Sequence, residues 1–126
     1  MDGTVTLHQP ANSEHVSYSL VKRAGSTGDG EQCSVYRLRT IMGMLGHSIV
    51  DLLKMDVEAC EYAVIRDILS DAIPIRQFCV EFHDRDPGIG IRQTSAAISQ
   101  LRSAGYRMFS VSPSGEEFSF LRDAVA

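Results

Sequence analysis

A nearly continuous apolar run, residues Ile49–Val57, constrains the fold of this chain more than any other feature of its sequence. Runs of this kind are typical of strands that are buried on both faces, as in parallel sheets. The run turns acidic at its end, with Asp56 inside it and Glu58 directly after it. Because parallel strands are joined by helical crossovers, the run predicts an α/β fold built around a central strand.

The chain after this run alternates between helical and extended patterns. Ala59–Ala72 carries one broad apolar stripe, and the segment from Ile91 to Ala104 repeats apolar residues at helical spacing, so both segments are predicted helices. Three further segments are predicted strands: Ile75–His83, Tyr106–Val111 and Glu117–Leu121. Right-handed crossovers predict that the first three strands of the region are parallel neighbours, and the closing hairpin adds one antiparallel strand. Residues 49–121 are therefore predicted to form a mostly parallel α/β half-sheet.

Residues 1–48 carry weaker core signals and are predicted to add short elements to the same domain. Thr4–Leu7 and Ser34–Leu38 are predicted strands, and Arg39–Leu45 is a predicted helix that stops at a glycine. A weakly alternating segment, 16–21, and a loop rich in Gly and Ser, 23–30, lie between the two strands. With 126 residues the chain is one domain's worth, or a piece of one, so we expect a single domain or partial domain over 1–126.

Composition excludes several classes of function. The formal net charge of −4 gives no reason to expect a nucleic-acid partner. The apolar stretches are strand-sized, far below the roughly 20 residues of a membrane span, and residues 1–10 lack the apolar segment of a signal peptide, so we expect no membrane partner. The chain has an odd number of cysteines without CxxC spacing: Cys33, Cys60 and Cys79. This pattern predicts reduced thiols and a cytoplasmic location.

Polar side chains gather where the first two strands of the half-sheet end. The first strand finishes at Asp56, and the second finishes with Glu81 and His83. Ligands of open α/β sheets bind at the carboxyl ends of the strands, so we expect these three side chains to share one catalytic site. An acid beside a histidine suits proton abstraction from a hydroxyl, and the same group could ligate a hard metal ion.

A structural interpretation of the same residues stands beside the catalytic one. Glu58 and Glu61 occupy positions where the N-terminus of a helix favours negative charge. Lys54 and Glu81 could form an ion pair between adjacent strands. His8, His15 and His47 are isolated in the sequence, and we interpret them as surface or packing residues.

Two glycine patterns suggest a nucleotide loop but lack its context. Gly25–Gly30 contains the glycines, but no buried strand precedes it and no helix follows it. Gly88–Gly90 lies beyond the tip of a strand and is short. Because a phosphate-binding loop requires a strand, a loop and a helix in succession, we reject both patterns.

The segment Asp51–Tyr62, DLLKMDVEACEY, resembles the D-L-L-K-x-D-x-E-G-x-E signature of FkbM-type methyltransferases. Other segments resemble the family in the same order: Asp2–Leu7, Leu38–Met42, Glu81–His83 and Gly105–Phe109. The resemblance covers nearly the whole chain but only the carboxyl-terminal half of the family's seven-stranded, Rossmann-like sheet. It implies S-adenosylmethionine as cofactor and methyl transfer to an oxygen of a small-molecule acceptor.

The same resemblance assigns roles and shows two departures from the family. It implies that Asp56 faces the methyl-transfer centre, with Glu81 and His83 as base or metal ligands. The family's cofactor-binding glycine loop has no counterpart in this chain, and Ala59 replaces a glycine of the signature. We therefore expect this chain to be incomplete or inactive by itself and to bind the cofactor weakly or not at all.

Two other functions remain open at this stage. One is a non-catalytic protein that retains the half-sheet for binding or assembly, and the other is a metal-dependent hydrolase that uses Asp56, Glu81 and His83. In the family's sheet the Ile49–Val57 strand pairs with a first strand that is missing here, so its outer edge is expected to be open and to promote self-association. Thr4–Leu7 and Ser34–Leu38 could instead fold across that edge.

Overall fold

The computed structural model describes residues 2–10, 18–20, 30–86 and 88–123. The predicted alternation over 16–21 and the predicted loop over 23–30 fall mostly outside these ranges, as does His15.

The described residues form six strands and three helices. In chain order they are β1 (Gly3–Leu7), β2 (Glu31–Val35), α1 (Leu38–Leu45), β3 (Val50–Met55), α2 (Glu61–Ser70), β4 (Ile75–Glu81), α3 (Ile91–Ser103), β5 (Tyr106–Val111) and β6 (Glu117–Arg122). Each predicted strand and helix is therefore present, with its ends displaced by about three residues at most.

Strands β3 to β6 form one mixed sheet in the order β3-β4-β6-β5. β3 and β4 are parallel neighbours, as predicted, whereas β6 is antiparallel to both β4 and β5. The prediction that β5 is a parallel neighbour of β4 is wrong, because β6 lies between them. The sheet therefore has one parallel pair and two antiparallel pairs, and it is not mostly parallel.

The position of β6 follows from its turn and its apolar face. A tight turn after β5, closed by the bond from the Gly115 N–H to the Ser112 carbonyl, returns the chain antiparallel. Phe120 is fully buried and pairs with Phe78 of β4. Placing β6 beside the central strand lets both of its edges pair and puts its aromatic face in the core.

The core lies on one face of this sheet, beneath α2 and α3. Ile65 and Leu101 of the helices are fully buried with Phe78 and Phe120 of the sheet. Each such side chain contributes roughly 1.5–3 kcal/mol on burial. The Tyr106 hydroxyl donates to the Ile75 carbonyl at 2.8 Å, so this buried phenol is satisfied and ties β5 to the start of β4.

The opposite face of the sheet is much less covered. Leu52 and Lys54 of β3 are exposed there, and Cys79 and Ser119 are half-buried. All three cysteines are free thiols, as predicted. None of the helices in the described ranges is long and apolar enough to cross a membrane.

The N-terminal elements form a separate two-stranded antiparallel sheet of β1 and β2. Asp2 joins this sheet to α1 by accepting hydrogen bonds from the Arg37 N–H and the Thr40 hydroxyl. Arg37 in turn pairs with Asp67 and Asp71 near the end of α2. β1 and β2 do not hydrogen-bond with β3, so among the described strands β3 pairs on one side only.

Candidate functional site

The carboxyl ends of β3 and β4 bring the three predicted site residues together. Asp56 directly follows β3, Glu81 ends β4, and His83 lies two residues further. The parallel register places Met55 beside Val80, so both strands finish at the same edge of the sheet. One ligand atom from each of Asp56, Glu81 and His83 lies within 4.8 Å of the other two.

One ring nitrogen of His83 is hydrogen-bonded, and the other lies near two carboxylates at longer distances. Its Nδ1 lies 2.9 Å from Oε1 of Glu61. Its Nε2 lies 3.6 Å from Oδ1 of Asp56 and 3.8 Å from Oε2 of Glu58. Because a carboxylate accepts and cannot donate, the short contact assigns the Nδ1 proton to a hydrogen bond with Glu61. Nε2 is then the ring atom that is available for chemistry.

Glu61, the hydrogen-bond partner of this histidine, is buried. It is the first residue of α2, its side chain has no exposed surface, and its Oε1 also accepts the backbone N–H groups of Val57 and Ala59. Its second oxygen, Oε2, has no hydrogen-bond partner among the described residues. One carboxylate oxygen therefore fixes both the loop after β3 and the ring of His83.

The loop between β3 and α2 adopts an unusual backbone conformation. Glu58 and Ala59 have φ values of 48° and 76°, in the left-handed region that a residue with a Cβ rarely enters. The Cys60 N–H closes the turn on the Val57 carbonyl at 3.2 Å. The glycine that the family signature carries at position 59 suits this conformation, so Ala59 introduces local strain.

The charges around His83 favour its protonated form. Burial of the ring opposes protonation, but the charge and hydrogen bond of Glu61, together with the charges of Glu58 and Asp56, outweigh it and raise the pKa of His83 above its ordinary value. The imidazole of His83 is thus stabilised as a cation by three surrounding carboxylates.

Aromatic packing fixes the elements that carry the site. Tyr62, next to Glu61, stacks on Phe82, next to His83, with ring centroids 5.5 Å apart. Phe82 packs edge-on against Phe118 at 5.4 Å. The Tyr62 hydroxyl forms a buried hydrogen bond of 3.0 Å with Thr94 of α3. The start of α2 and the tip of β4 are therefore held in fixed relation.

The structure differs from the sequence-based interpretation at Glu61 and at Lys54. Glu61 was interpreted as a helix-terminus acid, whereas the structure buries it against His83. The sequence contained one indication of this contact. Glu61 lies in the first turn of a helix that follows a strand, and such a turn lies over the carboxyl edge of the sheet. Lys54 is exposed and makes no ion pair with Glu81 within the described ranges.

Residues 2–108 match the model of the methyltransferase FkbM domain. The chain belongs to the FkbM methyltransferase family. This FkbM-family chain is also 31% identical over 81 residues to the AMB antimetabolite synthetase AmbE of Pseudomonas aeruginosa. That alignment covers 64% of this chain and 4% of AmbE, so the chain spans a small part of that relative. No solved structure matched this FkbM-family chain.

The cavity beside the candidate site is small. The cavity that borders Glu81, on the less covered face of the sheet, has a volume of about 280 Å³. Typical small-molecule sites have volumes of roughly 300–1,000 Å³ and enclose most of their ligand. Gly88 and Gly90 do lie between β4 and α3, but both are exposed, and most of the Gly25–Gly30 segment is outside the described residues.

Proposed function

We propose that this chain carries the acceptor side of an O-methyltransferase active site, at the carboxyl ends of β3 and β4. The observation that carries the proposal is the cluster of Asp56, Glu81 and His83, in a chain of the FkbM methyltransferase family. Its acceptor would be a small molecule that presents a hydroxyl group.

An acceptor hydroxyl must lose its proton when its oxygen is methylated. S-adenosylmethionine, when bound to a complete domain, supplies the methyl group. Asp56 and Glu81 offer carboxylates, and Nε2 of His83 faces the same space as Asp56. Either carboxylate can accept this proton, and the imidazole of His83, whose orientation is set by a buried carboxylate, lies beside them.

Glu61 has a positioning role in this proposal. It contacts Nδ1 of His83 and not the space in front of Nε2. Removing its carboxylate would leave the ring free to rotate and to exchange tautomers. The loop of Glu58 and Ala59 adds a further acid at 3.8 Å from Nε2, which strengthens the negative potential that an acceptor proton meets.

We further propose that the chain does not hold S-adenosylmethionine by itself. The cavity beside Glu81 has a volume of about 280 Å³, and the two glycines between β4 and α3, Gly88 and Gly90, are exposed. The cofactor would then be bound by another part of the complete domain, and this chain would supply the residues that act on the acceptor.

A chimera tests the proposed function. The whole 126-residue chain is fused behind the cofactor-binding half of an active FkbM-family methyltransferase, and calorimetry establishes that the fusion binds S-adenosylmethionine. Transfer of a radiolabelled methyl group is then measured with a panel of sugar and polyketide alcohols. We expect transfer by the wild type and a loss of about 10²- to 10⁴-fold in H83N and D56N.

His47 provides the matched control for this assay. It is an exposed histidine outside the cluster, so H47N is expected to retain the wild-type rate. A chimera that binds the cofactor and methylates no alcohol would contradict the proposal. So would a chimera whose activity is the same in H83N, D56N and H47N.

A further inference from the structure

We propose that Asp56, Glu81 and His83 bind one divalent transition-metal cation, with Glu61 as the carboxylate that orients the histidine ligand. The ion would sit at the carboxyl ends of β3 and β4. Its part in methyl transfer rests on the proposed function, whereas the binding of the ion does not.

The spacing of the ligand atoms fits a common ion. The three atoms lie within 4.8 Å of one another. Ligand atoms at about 2.1 Å from a tetrahedral ion are about 3.4 Å apart. The site therefore closes when the separations of these atoms shorten by about 1.4 Å at most. The Asp56 side chain is 44% exposed and is free to make this adjustment by rotating.

The orientation of His83 is that of a metal ligand. A histidine that ligates a metal usually donates its other ring N–H to a carboxylate, which fixes the tautomer and raises the basicity of the ligating nitrogen. Glu61 makes this contact with Nδ1 at 2.9 Å. Nε2 then presents its lone pair to the side of the ring where Asp56 and Glu58 lie.

Nε2 makes no hydrogen bond to the acids that surround it. Its distances to them, 3.6 Å and 3.8 Å, exceed those of hydrogen bonds. The negative charges of Asp56 and Glu58 attract positive charge to this side of the ring, and a metal ion bound at Nε2 would take the place of a proton there.

Glu61 supplies an independent observation. Its side chain is fully buried, and its Oε2 has no hydrogen-bond partner in the part of the chain that the structure describes. A buried carboxylate with an unsatisfied oxygen is costly unless positive charge lies nearby. A divalent ion bound at Nε2 would keep positive charge on the imidazole that Glu61 contacts.

The donor set narrows the choice of ion. One imidazole nitrogen with two carboxylate oxygens suits Mn²⁺ or Zn²⁺, whereas Ca²⁺ prefers six to eight oxygen ligands. Three protein ligands leave coordination positions open. An acceptor hydroxyl that occupied one of them would lose its proton more readily, because the ion stabilises the resulting oxyanion.

Calorimetry on the 126-residue chain tests the site directly. The protein is treated with EDTA, dialysed free of it, and titrated with Mn²⁺ and with Zn²⁺. We expect saturable binding of one ion per chain, weakened at least about tenfold in D56N, E81Q, H83N and E61Q. H47N, at an exposed histidine, is expected to bind as the wild type does.

Histidine NMR keeps the test informative even if a cluster variant does not fold. Long-range ¹H–¹⁵N spectra of the wild type should show Zn²⁺ shifting Nε2 of His83 while the resonances of His47 stay in place. Absence of saturable binding to the folded wild type, or equal binding by a folded H83N, would overturn the proposal.

The two proposals fail in different ways. Metal binding at His83 in a chimera that transfers no methyl group would support this site and end the proposed function. Undiminished transfer by a chimera kept in EDTA would end the proposed part of the ion in methyl transfer and leave the proposed function standing, whereas the absence of saturable binding would end the metal site itself.

Discussion

Nδ1 of His83 lies 2.9 Å from Oε1 of Glu61, a carboxylate with no exposed surface. The same oxygen accepts the backbone N–H groups of Val57 and Ala59, so one atom joins the loop after β3 to the tip of β4. The stability of this edge of the sheet and the orientation of its histidine therefore depend on the same side chain.

Replacing Glu61 should destabilise the fold, and the loss should be larger when the new side chain cannot accept the hydrogen bonds that Glu61 accepts. We expect Glu61→Ala to lower the free energy of unfolding by roughly 2–4 kcal/mol, because two backbone donors and an imidazole lose their acceptor. Glu61→Gln should cost less, because its amide oxygen still accepts from the loop. Urea unfolding measures both, with the exposed Glu31→Gln as control. Values for both Glu61 variants within about 0.5 kcal/mol of Glu31→Gln would contradict the expectation.

Ala59→Gly should stabilise the protein. Ala59 has a φ of 76°, a conformation that costs a residue with a Cβ about 1–2 kcal/mol, and glycine removes that cost while adding about 0.4–1 kcal/mol of unfolded-state entropy. We expect a net gain of about 0.5–1 kcal/mol in the free energy of unfolding.

Ala63→Gly is the matched control for this substitution. Ala63 is exposed in the interior of α2, where glycine should cost about 1 kcal/mol. Equal destabilisation by the two substitutions would show that the left-handed conformation at position 59 is not strained in solution.

The Arg37–Asp67 contact should make stability depend on pH in the acid range. The hydrogen bond from Arg37 lowers the pKa of Asp67 below its ordinary value. A carboxyl whose pKa is depressed by folding stabilises the protein above its unfolded-state pKa, and this contribution disappears as the pH falls through the folded-state pKa.

Asp67→Asn should therefore be less stable than the wild type at neutral pH, and the difference should shrink toward zero near about pH 2. Urea unfolding at the two pH values measures this. Asp123→Asn, in an exposed pair with Arg107, should show little change at either pH. A pH-independent effect of Asp67→Asn would mean that its charge is not the stabilising feature.

Most strands and helices of this fold can be predicted from the sequence. The order of the strands in the sheet cannot, because it depends on long-range packing. The apolar run at Ile49–Val57 correctly predicted a strand with an acidic end. The expectation that this strand is central and buried on both faces is wrong, because β3 lies at the end of the sheet and exposes Leu52 and Lys54 on the less covered face. The insertion of β6 beside β4 was not predictable, because a hairpin strand such as Glu117–Arg122 has the same alternation on either side of β5. Periodicity reports which face is buried and not which neighbour shares the edge.

The candidate site likewise contains residues that the sequence predicts and one whose role it does not predict. Asp56, Glu81 and His83 were predictable as a group, because parallel strands end at one edge. The contribution of Glu61 was not, because an acid in the first turn of a helix is equally consistent with a favourable dipole interaction. Only the packing of Tyr62 on Phe82 brings that turn over His83.

Self-association through β3 is a further prediction. Among the described strands β3 pairs only with β4, and Leu52 on it is 56% exposed. An unpaired strand edge is a template for a strand of a second copy, and Leu52 on the adjoining face would add apolar contact to such a pair. We expect the wild type to form dimers or larger species at tens of micromolar in sedimentation velocity, and Leu52→Lys to shift it toward monomer.

Leu45→Lys, at an exposed leucine of α1, should leave the association of the protein unchanged. A wild type that stays a single, well-folded monomer across this range would show that the edge of β3 is protected in solution.

Calorimetric titration of S-adenosylmethionine into the isolated 126-residue chain tests the central claim most directly, namely that this FkbM-family chain carries the acceptor side of the site without the cofactor pocket. We predict no saturable binding, or binding far weaker than micromolar, because the cavity beside the site, with a volume of about 280 Å³, is smaller than most small-molecule sites. A dissociation constant of about 1 µM requires roughly 8 kcal/mol of binding free energy. Micromolar binding to the folded chain would contradict the claim and place a cofactor site within these 126 residues.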